Sequence, residues 1–100
     1  MNPSQDRTLI AVATYNEREN LGTLVQAIRA TVPTADVLIL DDNSPDGTGA
    51  AADALAKQDA RVHVIHRTGK LGLGTAILAI MHYAMEKNYD LLVTDRKSVV

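Results

Sequence analysis

Short apolar runs alternate along the chain with longer segments in which apolar residues return every three or four positions. The runs are "LIAVAT" (9–14), "VLIL" (37–40), "VHVIH" (62–66) and "YDLLVT" (89–94). The first two are almost wholly apolar, as strands buried on both faces are. The third alternates enough to lie nearer a sheet edge. The first intervening segment, "NERENLGTLVQAIRATV" (16–32), places Leu21, Leu24, Val25, Ile28 and Val32 on one helical face. Asn16 and Glu19 have the spacing of a capping pair, and Pro33 stands beyond the expected end. A second helix is predicted from about Gly47 to Lys57, packing through Ala50, Ala51 and Ala54. A third runs to about Asn88, with Leu73, Ala76, Ile77, Ile80, Met81 and Ala84 as its apolar face.

The order is therefore β-α-β-α-β-α-β. Parallel strands need crossover helices, and the crossovers are right-handed, so the pattern predicts an α/β, Rossmann-like open parallel sheet. Such sheets bind ligands outside the carboxyl ends of their strands. The polar segments Thr14–Glu17, Asp41–Asp46 and Arg67–Thr75 should therefore gather along one edge, with Asp95 following the fourth strand.

Composition narrows the possibilities. One hundred residues make one small domain, and 46% hydrophobic with 22% charged residues is an ordinary globular balance. A net charge of −2 gives no electrostatic footprint for nucleic acid. With no cysteine, disulfide frameworks, thiolate metal sites and a cysteine nucleophile are excluded. No run approaches the ~18 apolar residues of a membrane span. The start "MNPSQDRTL" lacks the basic-then-apolar order of a signal peptide. A soluble, cytoplasmic domain is the expectation.

The candidate chemistry lies in the turns. In "DDNSPDGT" (41–48), Asn43, Ser44 and Asp46 divide evenly between turn or capping work and ligand contact. Adjacent like charges repel, so at least one of Asp41 and Asp42 is expected to serve a ligand, by accepting hydrogen bonds from a base or ribose. The turn "GKLGLGTA" (69–76) is neither a Walker loop, because Val64 and Leu71 occupy its required positions, nor a dinucleotide fingerprint. What remains is a helix amino terminus with Lys70 nearby, suited to a phosphate or carboxylate, or else a tight helix–sheet approach. His63, His66 and His82 have no metal spacing and are expected to be structural. Tyr15, at the end of the first strand, is placed to stack on a base or sugar.

Together "ATYNERENL" (13–21), "DDNSPDGT" (41–48) and "RTGKLGLGTA" (67–76) resemble the family 2 inverting glycosyltransferases that make dolichyl- or polyprenyl-phosphate mannose. The resemblance runs from about residue 9 to residue 94. It implies a GT-A nucleotide-sugar-binding domain, GDP-mannose as donor, Mg²⁺ or Mn²⁺ as cofactor, and a polyprenyl phosphate at a membrane surface as acceptor. Carried over by residue, Ala13, Tyr15 and Glu17 would line the nucleoside pocket, with Ala13 where the family usually has proline. Asp42 would accept a hydrogen bond from the base, and Lys70 with the amides near Gly72 would lie beside the nucleotide.

The resemblance lapses where the family carries its metal-binding Asp-x-Asp. Here "LLVT" is followed by "DRKSVV" (95–100): Asp95 stands one residue early, the second carboxylate is absent, and Arg96 and Lys97 follow. The expectation is a nucleotide-sugar-binding part over 1–94 with a divergent tail over 95–100, truncated and inactive in transfer by itself. Such a part is expected to expose a sheet edge and pair with a second copy. The alternatives are a transferase using a UDP-sugar and a non-catalytic nucleotide-binding remnant.

Overall fold

The computed structural model describes residues 7–14, 18–41, 45–67 and 73–95, the side chains of 73, 74 and 95 excepted. The strands are β1 (Thr8–Thr14), β2 (Asp36–Asp41), β3 (Val62–His66) and β4 (Leu91–Asp95). Between them run α1 (Arg18–Thr31), α2 (Thr48–Gln58) and α3 (Leu73–Glu86). The sheet is parallel throughout, in the order β3-β2-β1-β4. As the alternation of β3 suggested, that strand lies at an edge; β4 forms the other.

The strand order explains the layering. The chain steps outward from β1 to β2 to β3, then returns past both to place β4 beside β1. With crossovers of one hand, reversing the direction of travel puts α3 on the face opposite α1 and α2. The two apolar clusters follow this division. Leu21, Val25 and Ala52 pack on Val37, Ile39 and Val62. Ala76, Ile80 and Ala84 pack on Leu9, Ala11, Ala13, Leu38 and Leu40. Neighbouring residues of β2 thus serve opposite layers, as a period of two requires, and a run such as "VLIL" has no polar side to show.

Two helix faces differ from expectation. In α2 the buried and half-buried set is Thr48, Gly49, Ala51, Ala52, Leu55 and Ala56, whereas Ala50 and Ala54 are exposed. Alanine packs well on either side of a helix, and Leu55 is what sets the inward direction. In α3 the core face is Ala76, Ile80 and Ala84, with Ala79 and Tyr83 beside it, while Ile77 and Met81 are exposed. A helix with so many apolar residues is ambiguous in rotation until a sheet is placed against it. In addition, β4 begins at Leu91 and not at Tyr89.

Polar contacts close the amino-terminal side of the sheet. Asp36, first residue of β2, accepts a hydrogen bond from the Tyr89 hydroxyl at 2.6 Å. Arg61 and His63 approach the same carboxylate at 3.1 and 3.3 Å. The Arg7 guanidinium lies 4.5 Å from the Tyr89 ring centroid, and the Arg7 amide donates to Asp90 at 2.8 Å. Asn88 takes a left-handed φ of 62° to turn α3 toward β4. No helix among the described residues is long and apolar enough to cross a membrane.

Candidate functional site

The carboxyl edge of the sheet is assembled from the end of β1, the β2–α2 turn and the end of β3, the three places where the sequence concentrates its polar residues. Thr14 and Asp41 are register partners across β1 and β2, and Asp41 pairs in turn with His66 of β3. Both Thr14 and Asp41 are buried. The Thr14 hydroxyl donates to the Leu40 carbonyl at 3.4 Å, and the Arg67 amide donates to the Asp41 carbonyl at 2.8 Å, carrying the β2–β3 ladder one step past the strands. The Arg67 guanidinium reaches the Thr75 hydroxyl of α3 at 3.1 Å.

Asp46 organises the turn that follows β2. One of its oxygens, Oδ1, accepts from the Thr48 amide at 3.0 Å and from the Thr48 hydroxyl. The other, Oδ2, accepts from the Arg18 amide at the first residue of α1, at 3.3 Å. These donors, the Thr48 hydroxyl first among them, hold the Asp46 carboxyl below its ordinary pKa. The contact observed for Asp46 is the turn one, a bond from the amide two residues on, while Gly47 is the N-cap residue of α2. Between Asp46 and Thr48, Gly47 has a φ of 91°, a left-handed conformation that glycine adopts without strain.

A second glycine matters for space. A Cβ on Gly49, in the first turn of α2, would lie 2.9 Å from Asp41 Oδ2 and 3.2 Å from His66 Nδ1. The helix can come this close to the ends of β2 and β3 only with a hydrogen at that position. His66 is fixed from its other side, its Nε2 pairing with Asp53 of α2 at 2.9 Å. As expected, the histidines serve as partners within the fold: His63 with Asp36, His66 with Asp53, and exposed His82 with Glu86 at 3.8 Å.

Of the residues singled out from sequence, Ala13 is buried in β1, paired with Leu40 and facing α3. Asp95 is the last residue of β4, in register with Val12, rather than following the strand as expected. Tyr15, Glu17, Asp42, Lys70 and Gly72 lie outside the described residues, as does the Asn16 of the expected capping pair. Among the described residues no three His, Asp or Glu side chains converge as a metal site. The arrangement around Asp46, Gly49, His66 and Asp53 escaped sequence reading. Its partners are 13 to 28 residues apart, and only the strand order brings them together.

Comparison with known proteins agrees with this architecture. The profile of glycosyl transferase family 2 matches residues 9–94. The polyprenol monophosphomannose synthase of Mycolicibacterium smegmatis is 51% identical over 92 residues, covering 91% of this chain and 34% of that protein. The undecaprenyl-phosphate mannosyltransferase of Micrococcus luteus is 49% identical over 87 residues, covering 87% of this chain and 36% of that protein. The chain thus spans about one third of the length of these curated relatives. A mannosyltransferase of Pyrobaculum calidifontis, solved in complex with GDP-Man and Mn²⁺, superposes with a TM-score of 0.62 at 24% identity, over 77% of this chain and 24% of its own; that likeness establishes the fold. On the profile match and the identity of half its residues to these transferases, the chain belongs to glycosyl transferase family 2.

Proposed function

We propose that the chain is the nucleotide-sugar-binding part of a transferase that moves mannose from GDP-mannose to a polyprenyl phosphate with inversion, at the cytoplasmic surface of a membrane. The observation that carries this reading is the identity of about half its residues, over nearly the whole chain, to two proteins named as a polyprenol monophosphomannose synthase and an undecaprenyl-phosphate mannosyltransferase. The carboxyl edge of the sheet supports it. The ends of β1, β2 and β3 are held there by Asp41, Asp46 and Arg67, and the segments carrying Tyr15, Glu17, Asp42, Lys70 and Gly72 adjoin those ends.

In this reading Ala13, Tyr15 and Glu17 line the nucleoside pocket and Asp42 accepts a hydrogen bond from the base. Lys70 and the amides near Gly72 lie beside the diphosphate, where cationic and N–H groups favour negative charge. The acceptor phosphate oxygen is already anionic, so single displacement at the anomeric carbon depends on orientation and on stabilising the leaving nucleotide more than on a strong base. A divalent ion, such as the Mn²⁺ of the Pyrobaculum complex, would neutralise charge on the diphosphate. The described residues do not assemble the several oxygen ligands such an ion takes, and Asp95 would offer one carboxylate. What the described residues contribute is binding and orientation.

A second copy is proposed to pair with β4. That strand is an edge, and it exposes Leu91 and Val93. The 100-residue chain by itself is proposed to bind nucleotide without transferring mannose. The test is titration calorimetry with GDP and with UDP, with and without Mn²⁺. Metal-dependent binding of GDP in preference to UDP is expected. Preference for UDP would replace the donor, and binding of neither would make the chain a non-binding remnant.

A further inference from the structure

We propose that Asp46 is a positioning residue for the nucleotide edge, a carboxylate whose two oxygens tie the first turns of α1 and α2 to each other. This rests on the nucleotide-binding reading above for what is positioned, though not for the tie itself. A helix amino terminus needs one side-chain acceptor to be capped, and the usual N-cap residue serves its own helix. Asp46 stands one residue before Gly47, the N-cap of α2, and its Oδ1 accepts from the first helical amide, that of Thr48, at 3.0 Å. Its Oδ2 goes to a different helix, meeting the Arg18 amide 28 residues earlier in the chain. The Arg18 guanidinium returns the contact at 3.5 Å to the Asp46 carbonyl.

The consequence follows from where the two ends lie. Arg18 is next to Glu17, and Asp46 is four residues beyond Asp42, so each proposed nucleoside-binding segment joins an anchored residue. The positive φ of Gly47 keeps this turn tight, with the space beside its α-carbon bounded by Arg18 Cδ, 3.6 Å from where a Cβ would stand. One carboxylate thus adds a direct tie between the first turns of α1 and α2, beside the packing of Leu21 and Val25 with Ala52. Preorganising them lowers the ordering cost that nucleotide binding meets.

Asp46→Asn separates the tie from the local turn contact. The amide side chain keeps one accepting oxygen, which serves the nearer Thr48 amide, and its NH₂ group cannot accept from Arg18. Hydrogen exchange at the Arg18 and Thr48 amides is read by NMR on the full chain, together with calorimetric titration of GDP in MnCl₂. With one acceptor lost, Asp46→Asn should exchange about tenfold faster at Arg18, while Thr48 stays within about threefold. The GDP dissociation constant should rise by about tenfold. Asp46→Ala should release both amides.

Three results would overturn the proposal: unchanged exchange at Arg18 in Asp46→Asn, equal acceleration at both amides, or GDP affinity equal to wild type. If the wild-type chain binds no GDP, the nucleotide reading fails instead, and the contrast between Arg18 and Thr48 still decides whether the tie exists.

Discussion

Tyr89→Phe removes a single oxygen from the polar cluster that holds the turn between α3 and β4 to the first residue of β2. The hydroxyl donates to Asp36 at 2.6 Å, and the Asp36 side chain is 18% exposed. A hydrogen bond to a charged group contributes about 1.5–3 kcal/mol. Asp36 keeps Arg61 at 3.1 Å and His63 at 3.3 Å after the substitution, so the loss should fall near the bottom of that range. The phenylalanine ring retains its stacking on Tyr83 and its place under Arg7, so no packing loss is added. The expected destabilisation is about 1–2 kcal/mol, which for a domain of this size lowers the melting midpoint by about 5–15 °C.

The pH dependence of that loss is a second check. Burial raises the Asp36 pKa, but the hydrogen bonds from Tyr89 and His63 and the charges of His63 and Arg61 outweigh it, leaving the group below its ordinary value. A carboxylate held lower in the folded state than in the unfolded chain contributes stability above its unfolded pKa and loses it as pH falls through the folded value. The gap between wild type and Tyr89→Phe should therefore be full at neutral pH and narrow below about pH 4. The Tyr89 phenol, raised by burial and by its bond to Asp36, remains a donor throughout. Urea unfolding at neutral and acidic pH measures both. A neutral-pH difference under about 0.5 kcal/mol, or a gap that widens in acid, would refute the reasoning.

Two further outcomes test the site and the sheet edge. Gly49→Ala places a methyl 2.9 Å from the buried Asp41 carboxylate and 3.2 Å from the His66 ring, which Asp53 holds; overpacking of about 1–3 kcal/mol should exceed the ~1 kcal/mol helix-propensity gain. Chemical denaturation should show a net loss and GDP titration a weaker complex, whereas a stabilised variant with unchanged affinity would show that the close approach is unimportant. In sedimentation velocity at high concentration, the 10.8 kDa chain should run partly as a dimer, and a Leu91→Lys, Val93→Lys variant should not. A wild type that stays monomeric would remove the proposed pairing at β4.

The sequence by itself determined the elements and their order. Strands such as "VLIL" are apolar on both sides because both sides of β2 are covered, and such a run can be read without knowing what covers it. It also offered turn work as one of two roles for Asp46, and the bond from the Thr48 amide is of that kind, a contact between near neighbours. The tertiary structure decided which way α2 and α3 turn their small and apolar residues, since Ala50 and Ala52 differ only in what stands opposite them. It also decided the pairing of Asp46 with Arg18, His66 with Asp53 and Asp36 with Tyr89, across 28, 13 and 53 residues. Periodicity reports which residues share a face of one element. Which faces meet is set by strand order, and in this chain the return of β4 to the side of β1 decides it.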